Sequence, residues 1–256
     1  MLTAAVAATA GGTAAYAGTG PAATGPAIAN SGVAVSAAAK PRTTTYNSLH
    51  WAGYTFPVRH VTGVRAQWKE PKVTGKKGEQ EFVWLGIGGW GAKDDNIIQE
   101  GTFAWFPSNT QRNEGIWYEL VPNYFARYPR VAVFAGDHIS ASITLVSART
   151  HKWRVALVDS TTGARWSKNL TFKSLEAFPS FVVEDPDKGS SSATGPFFPF
   201  PHFTPVTFTH VGILIGKRWV GAAQLSRYRI NMVRGRKTLA TAGSLSRFSS
   251  FTVTDR

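Results

Sequence analysis

In His138-Ile139-Ser140-Ala141-Ser142-Ile143-Thr144-Leu145 apolar and polar residues alternate without a break. Successive side chains of a strand point to opposite faces, so this run buries one face and wets the other. The texture recurs along the chain. Trp153 to Val158 reads as a second strand, Asp159-Ser160-Thr161-Thr162-Gly163 as a turn, and Arg165 to Phe172 as a third strand. Phe181-Val182-Val183, Val206-Thr207-Phe208 and Tyr228 to Val233 extend the series. No segment carries a helical stripe longer than about ten residues. Many short strands over about 200 residues predict an all-β chain, a sandwich or a barrel in one domain.

The β texture starts at about Tyr46. Residues 1–45 hold no Asp or Glu, only Lys40 and Arg42 as charges, and are otherwise mostly Ala, Gly, Thr and Pro. Met1 to Ala10 resembles a short apolar targeting core, and Ala15-Tyr16-Ala17 suits a small-x-small cleavage site. Gly18 to Ala39 lacks the apolar surface to order itself. Two regions are therefore expected: a signal, pro-segment or tail over 1–45, and a β domain over 46–256. The protein is expected to be secreted.

Composition removes several chemistries. The 256 residues, 43% hydrophobic, include no cysteine, which excludes disulfides, thiolate metal sites and cysteine nucleophiles. H-E-x-x-H, G-x-S-x-G and the phosphate-cradling G-x-x-x-x-G-K-[ST] are absent from the sequence. The six histidines show no metal-ligand spacing and are expected at strand ends or on the surface; no metal and no cofactor is expected. Net charge is +13, from 28 Lys plus Arg against 15 Asp plus Glu. The basic residues are scattered, which reads as a solvated surface rather than a nucleic-acid or membrane footprint. Arg227, Arg229, Arg234, Arg236 and Lys237, with Tyr228 among them, read as the basic rim of a hairpin.

Strand period also groups residues that carry chemistry. Trp84 lies on the face opposite Val83 and Leu85. In Ile116-Trp117-Tyr118-Glu119-Leu120, Trp117 and Glu119 share one face, and Glu184 projects with Val182. Asn96-Ile97-Ile98-Gln99 ends an apolar run on a long amide. If these strands are neighbours, two tryptophans, two glutamates and a glutamine line one surface. Periodicity alone is equally compatible with ordinary solvent-facing glutamates and core tryptophans.

Five segments in order resemble a known family. Trp84-Leu85-Gly86-Ile87-Gly88-Gly89, followed by Ile97-Ile98-Gln99-Glu100-Gly101, is similar to the active-site strand and loop of the glutamic peptidases, also called eqolisins. His50-Trp51-Ala52-Gly53-Tyr54, Trp117-Tyr118-Glu119-Leu120-Val121-Pro122, Phe181-Val182-Val183-Glu184-Asp185 and the Phe-rich stretch from Phe200 to Phe208 resemble further blocks of that family. The resemblance covers about Trp51 to His210 and points to a member of bacterial or archaeal type. It implies a two-sheet antiparallel β-sandwich of the concanavalin or lectin-like jelly-roll kind, curved around a substrate cleft. It carries the catalytic pair onto Gln99 and Glu184. The substrate-binding positions it implies are Trp84, Glu119, Trp117, Gly88 and Trp90. Three departures stand out: Gly88 replaces a common Asp, Gly115 a common acidic residue, and Ser180 the first Glu of the last block.

The activity implied is an acid-acting endopeptidase, a monomer with a polypeptide substrate and neither nucleic acid nor membrane as partner. Glu184 would take a proton from water and Gln99 would donate to the oxyanion. Glu119 would hold Gln99 or the water in place. Two alternatives compete with it. One is a glycoside hydrolase using Glu119 and Glu184 as paired carboxylates with tryptophans stacking sugars. The other is a non-catalytic carbohydrate- or surface-binding module.

Overall fold

The computed structural model describes residues 40–91, 96–122, 124–186 and 196–256. Its strands run in chain order as β1 (Thr43–Ser48), β2 (Trp51–Thr55), β3 (Val61–Lys69), β4 (Val73–Thr74), β5 (Gln80–Gly88) and β6 (Ile97–Trp105). They continue as β7 (Asn113–Val121), β8 (Tyr124–Arg127), β9 (His138–Ser147), β10 (Lys152–Asp159), β11 (Arg165–Thr171) and β12 (Pro179–Glu184). The last are β13 (His202–Phe203), β14 (Val206–Ile215), β15 (Arg218–Gly221), β16 (Arg227–Arg234), β17 (Lys237–Ala242) and β18 (Phe251–Asp255). Among the described residues the only helical piece is a 3₁₀ turn at Ala222–Gln224. The expectations for residues 1–39 lie outside the described residues. The first strand begins at Thr43, three residues ahead of the boundary expected at Tyr46.

Two sheets form the layers. The first runs β18-β17-β16-β2-β12-β5-β6-β7-β8, with β1 added in parallel on β16; the second runs β11-β10-β9-β3-β14, with β15 on β14. Among the described residues all ladders except β1–β16 are antiparallel. Strand β14 serves both layers. Val206–Phe208 pairs with β18, and Thr209–Ile215 pairs with β3. The crossover falls at a bulge between Thr209 and Gly212, where His210 adopts φ 52°. A bulge bends a strand and raises its twist, which lets one strand turn the corner between two packed sheets.

The core between the layers is built from alternate positions. Val83, Leu85 and Ile87 of β5 and Ile116 and Leu120 of β7 meet Val64, Ala66 and Trp68 of β3 and Ile139, Ala141 and Ile143 of β9. The alternation that predicted β9 therefore marks which side of the second sheet is dry.

Carboxyl groups enter this core. Glu100 on β6 projects across it, and its Oε1 accepts the backbone N–H groups of Ser142 (3.0 Å) and Ala156 (3.2 Å). Those residues face each other on β9 and β10, so one carboxyl spans two strands of the opposite sheet. Glu70 accepts from Trp68 Nε1 at 3.1 Å. Burial pushes Glu70 and Glu100 up to about 8 from the ordinary 4.5. Burial, with Glu70 and Glu114 nearby, also holds Glu81 well above its ordinary value. These groups are neutral acids through the acid range.

Candidate active site

The site grows out of the register of five neighbouring strands. Across β2, β12, β5, β6 and β7 one row of paired residues reads Trp51, Glu184, Phe82, Phe103, Gly115. The next on the same face reads Gly53, Val182, Trp84, Gly101, Trp117, and the third reads Thr55, Ser180, Gly86, Gln99, Glu119. Residues two apart on a strand share a face. All three rows therefore project from the side of the first sheet that faces away from the second. Trp51, Phe82, Trp84, Trp90, Ile97, Trp117, Val121, Val182 and Ile230 pack together there as a second apolar cluster.

Within that cluster two polar pairs are buried. Trp84 Nε1 donates to Glu184 Oε2 at 2.7 Å, and Gln99 Nε2 donates to Glu119 Oε2 at 3.0 Å. Glu184 is 3% exposed, Gln99 1% and Glu119 2%. Such groups are costly to bury without partners, and each has one on the adjoining strand. Among the described residues, Gln99 Oε1 and Trp51 Nε1 have no hydrogen-bond partner. Trp51 meets Trp84 edge-on at 5.1 Å between ring centroids and is paired in register with Glu184.

Glycine makes the space. A Cβ on Gly86 would lie 3.1 Å from both Gln99 Cβ and Trp84 Cζ3, so the indole and the amide meet over its bare backbone. A Cβ on Gly101 would lie 1.9 Å from the Val83 carbonyl oxygen. The pattern Gly53, Gly86 and Gly101 thus clears the floor around Trp84.

The departures have local causes. Gly88 adopts φ 110°, and a Cβ there would sit 1.9 Å from the Asn96 carbonyl oxygen, so this backbone excludes an aspartate. A Cβ on Gly115 would come within 2.8 Å of the Val131 carbonyl. Ser180 donates to Thr55 Oγ1 at 2.9 Å, closing the third row with short hydroxyls.

Trp90 sits at the far end of the same face. It meets Tyr46 at 5.6 Å and Tyr228 at 5.8 Å between centroids, and those tyrosines meet at 5.0 Å. Sequence reasoning missed Tyr46, Tyr228 and the role of Trp51. Its period with Gly53 and Thr55 gives the face Trp51 takes on β2, but its pairing with Glu184 is set by the β2–β12 register; Tyr46 depends on the parallel β1–β16 pairing, which leaves no mark on local pattern.

Beyond Glu184 the chain is anchored by Arg234. Its Nη2 is paired with Asp185 Oδ2, its Nε donates to the Leu49 carbonyl at 2.8 Å, and its guanidinium lies 4.5 Å over the Phe197 ring. Asp185 donates its backbone N–H to the His50 carbonyl at 2.9 Å. Arg234, expected on a basic rim, therefore points inward, whereas Arg236 and Lys237 are exposed at the β16–β17 turn. His50 stands at a strand end but is buried, stacked on Phe197 at 5.2 Å. Among the described residues no group of three or more His, Asp or Glu is arranged to hold a metal ion.

The peptidase A4 family model matches residues 49–255. Scytalido-glutamic peptidase, solved with a transition state analog inhibitor, has a similar fold at TM-score 0.68 and 19% identity, over 81% of this chain and 98% of that one. SCP-B, a member of the eqolisin family solved with the tripeptide Ala-Ile-His, gives 0.64 at 18% identity over the same shares. Aspergilloglutamic peptidase from Aspergillus niger gives 0.58 at 22% identity, over 70% of this chain and 99% of that one. No curated protein sequence matches the chain.

Proposed function

The chain belongs to the peptidase A4 family and is a glutamic endopeptidase, and from that premise we propose that it acts in acid with Glu184 and Gln99 as its catalytic pair. Membership displaces the glycoside hydrolase and the non-catalytic module, and makes a polypeptide the substrate. The observation that carries the assignment is the pair of buried hydrogen bonds, Trp84 to Glu184 and Gln99 to Glu119, on one face of one sheet.

In this reading Glu184 takes the proton of the attacking water and later passes it to the leaving nitrogen. The indole N–H of Trp84 stabilises the carboxylate and fixes the oxygen it binds. Glu119 accepts one Nε2 hydrogen of Gln99 and so sets which way the amide points. The second Nε2 hydrogen then serves the developing oxyanion, and Oε1, with no partner among the described residues, can hold the water. Trp51 Nε1 is a further buried donor beside the pair, suited to a substrate carbonyl. Work in acid is supported by the carboxyls raised to about 8, which favour the folded state where they stay protonated. We also read the protein as secreted, from its leader-like start ending at Ala15-Tyr16-Ala17.

The test is cleavage of an acid-denatured protein between about pH 2 and 7 by wild type, Gln99→Ala and Glu184→Gln, each checked for β circular dichroism. Removing one oxyanion donor costs about a hundred- to a thousandfold in rate. Losses of that size or more are expected in both variants. Full activity in either folded variant removes that residue from the pair.

A further inference from the structure

On the far side of the molecule from the site lies the outer face of the second sheet. We propose that this face binds an extended anionic polysaccharide through Arg65, Arg154 and Arg165, set around a hollow floored by Ser140, Ser142 and Ala156.

The unequal burial of charge comes first. Of the twelve described Asp and Glu, eight are buried, while none of the described Lys or Arg is. The exposed charge is therefore more one-sided than the net +13 conveys. The second sheet concentrates this. Its strands β3, β9, β10, β11, β14 and β15 carry Arg65, Lys69, Lys152, Arg154, Arg165, Lys168 and Arg218 against one carboxylate, Asp159. Asp159 is buried and occupied by the N–H and hydroxyl groups of its own turn.

Register sets the cations around a recess. Arg65, Ser142, Ala156 and Ser167 form one cross-strand row, and Gln67, Ser140, Val158 and Arg165 the next. Arg154, one row to the other side, reaches back to donate to Ser167 Oγ at 3.1 Å. Between them is a shallow hollow of about 360 Å³, closed on its far side by His210. The amide groups of Ser142 and Ala156 are both taken by Glu100 from within. The floor therefore offers hydroxyls and methyls, not backbone donors.

This chemistry selects among polyanions. Hydroxyl and amide side chains suit sugar hydroxyls, and guanidinium groups suit carboxylate or sulfate esters. Single-stranded nucleic acid would be met by aromatic platforms for its bases. The face has one exposed aromatic, Trp219, and its ring is already covered by the Arg65 guanidinium at 4.3 Å. A membrane surface would call for apolar anchors beside the cations, and the hollow presents small and polar groups instead.

Labelled polygalacturonate and dextran sulfate, with uncharged dextran as control, would be titrated by fluorescence anisotropy at about 0.1 M salt and about pH 5. Arg65→Gln/Arg154→Gln/Arg165→Gln is compared with Lys76→Gln/Lys77→Gln/Lys237→Gln, which removes three exposed cations elsewhere. The expected result is binding of at least one anionic chain and not of dextran, weakened about tenfold or more in the arginine variant and under about twofold in the lysine variant, with peptide turnover unchanged in both. Carboxylate and sulfate chains are separated by which titrant binds. Equal weakening in the two variants, or no binding by wild type, overturns the proposal. So does tighter binding of single-stranded DNA or phosphatidylglycerol vesicles at the same salt, which would reassign the face.

Discussion

Trp84 shows how one side chain can be both packing and chemistry. Its ring fills the second apolar cluster, and its N–H holds Glu184 at 2.7 Å. Trp84→Phe keeps most of the ring and removes the donor. A hydrogen bond to a charged group is worth about 1.5–3 kcal/mol, so a loss of about ten- to a hundredfold in kcat is expected with the fold intact. Because the lost bond favours the ionised carboxylate, the acid limb of the pH–rate profile should also move to higher pH. An unmoved acid limb would mean that the indole only packs. Glu119→Gln tests the other pair. It keeps the size of the side chain but loses the charge that orients the Gln99 amide. Hydrolysis should slow while the unfolding midpoint stays near wild type; an unchanged rate would take Glu119 out of the site.

At the scale of elements, β6 links the two layers through adjacent residues of opposite facing. Gln99 points to the site, and Glu100 points through the core to β9 and β10. Glu100→Leu leaves two buried amides unpaired at about 1–3 kcal/mol each, whereas Glu100→Gln retains the acceptor. At about pH 4 the leucine variant should lose several kcal/mol in urea unfolding and the glutamine variant about 1 kcal/mol. Hydrogen exchange at Ser142 and Ala156 should quicken in the leucine variant alone. Comparable losses would show that the carboxyl, not the acceptor, matters. The register of β2, β12, β5, β6 and β7 is what assembles the site from residues as distant in sequence as Trp84 and Glu184.

For the whole molecule the buried carboxyls predict how stability follows pH. Glu70 and Glu100 titrate near 4.5 when unfolded and near 8 when folded. Between those values the folded chain holds protons that the unfolded chain has released. Stability is therefore full below about 4.5 and falls as pH rises towards 8. Each group contributes on the order of a few kcal/mol across the window. Glu81, held well above its ordinary value with both oxygens buried and unpaired, adds in the same direction. Urea midpoints measured from about pH 4 to 8 should decline steadily, and the decline should shrink in Glu100→Gln. A midpoint that rises over this range would contradict the account.

Alternation along β9 and β10 and the absence of a helical stripe were enough to read an all-β chain, because period-2 burial is a property of each strand alone. The ordered blocks around Trp84, Gln99, Glu119 and Glu184 carried the resemblance and grouped the site residues by facing, since alternation decides which side of a strand a residue takes. Alternation does not decide which strands become neighbours. Only tertiary pairing put Trp51 in register with Glu184, brought Tyr46 to Trp90 through a parallel edge, and turned Arg234 inward onto Asp185. The direction of Glu100 was implicit in its place beside Gln99, but its partners were not. They lie 42 and 56 residues away in the other sheet, and their choice was made by how the two layers pack.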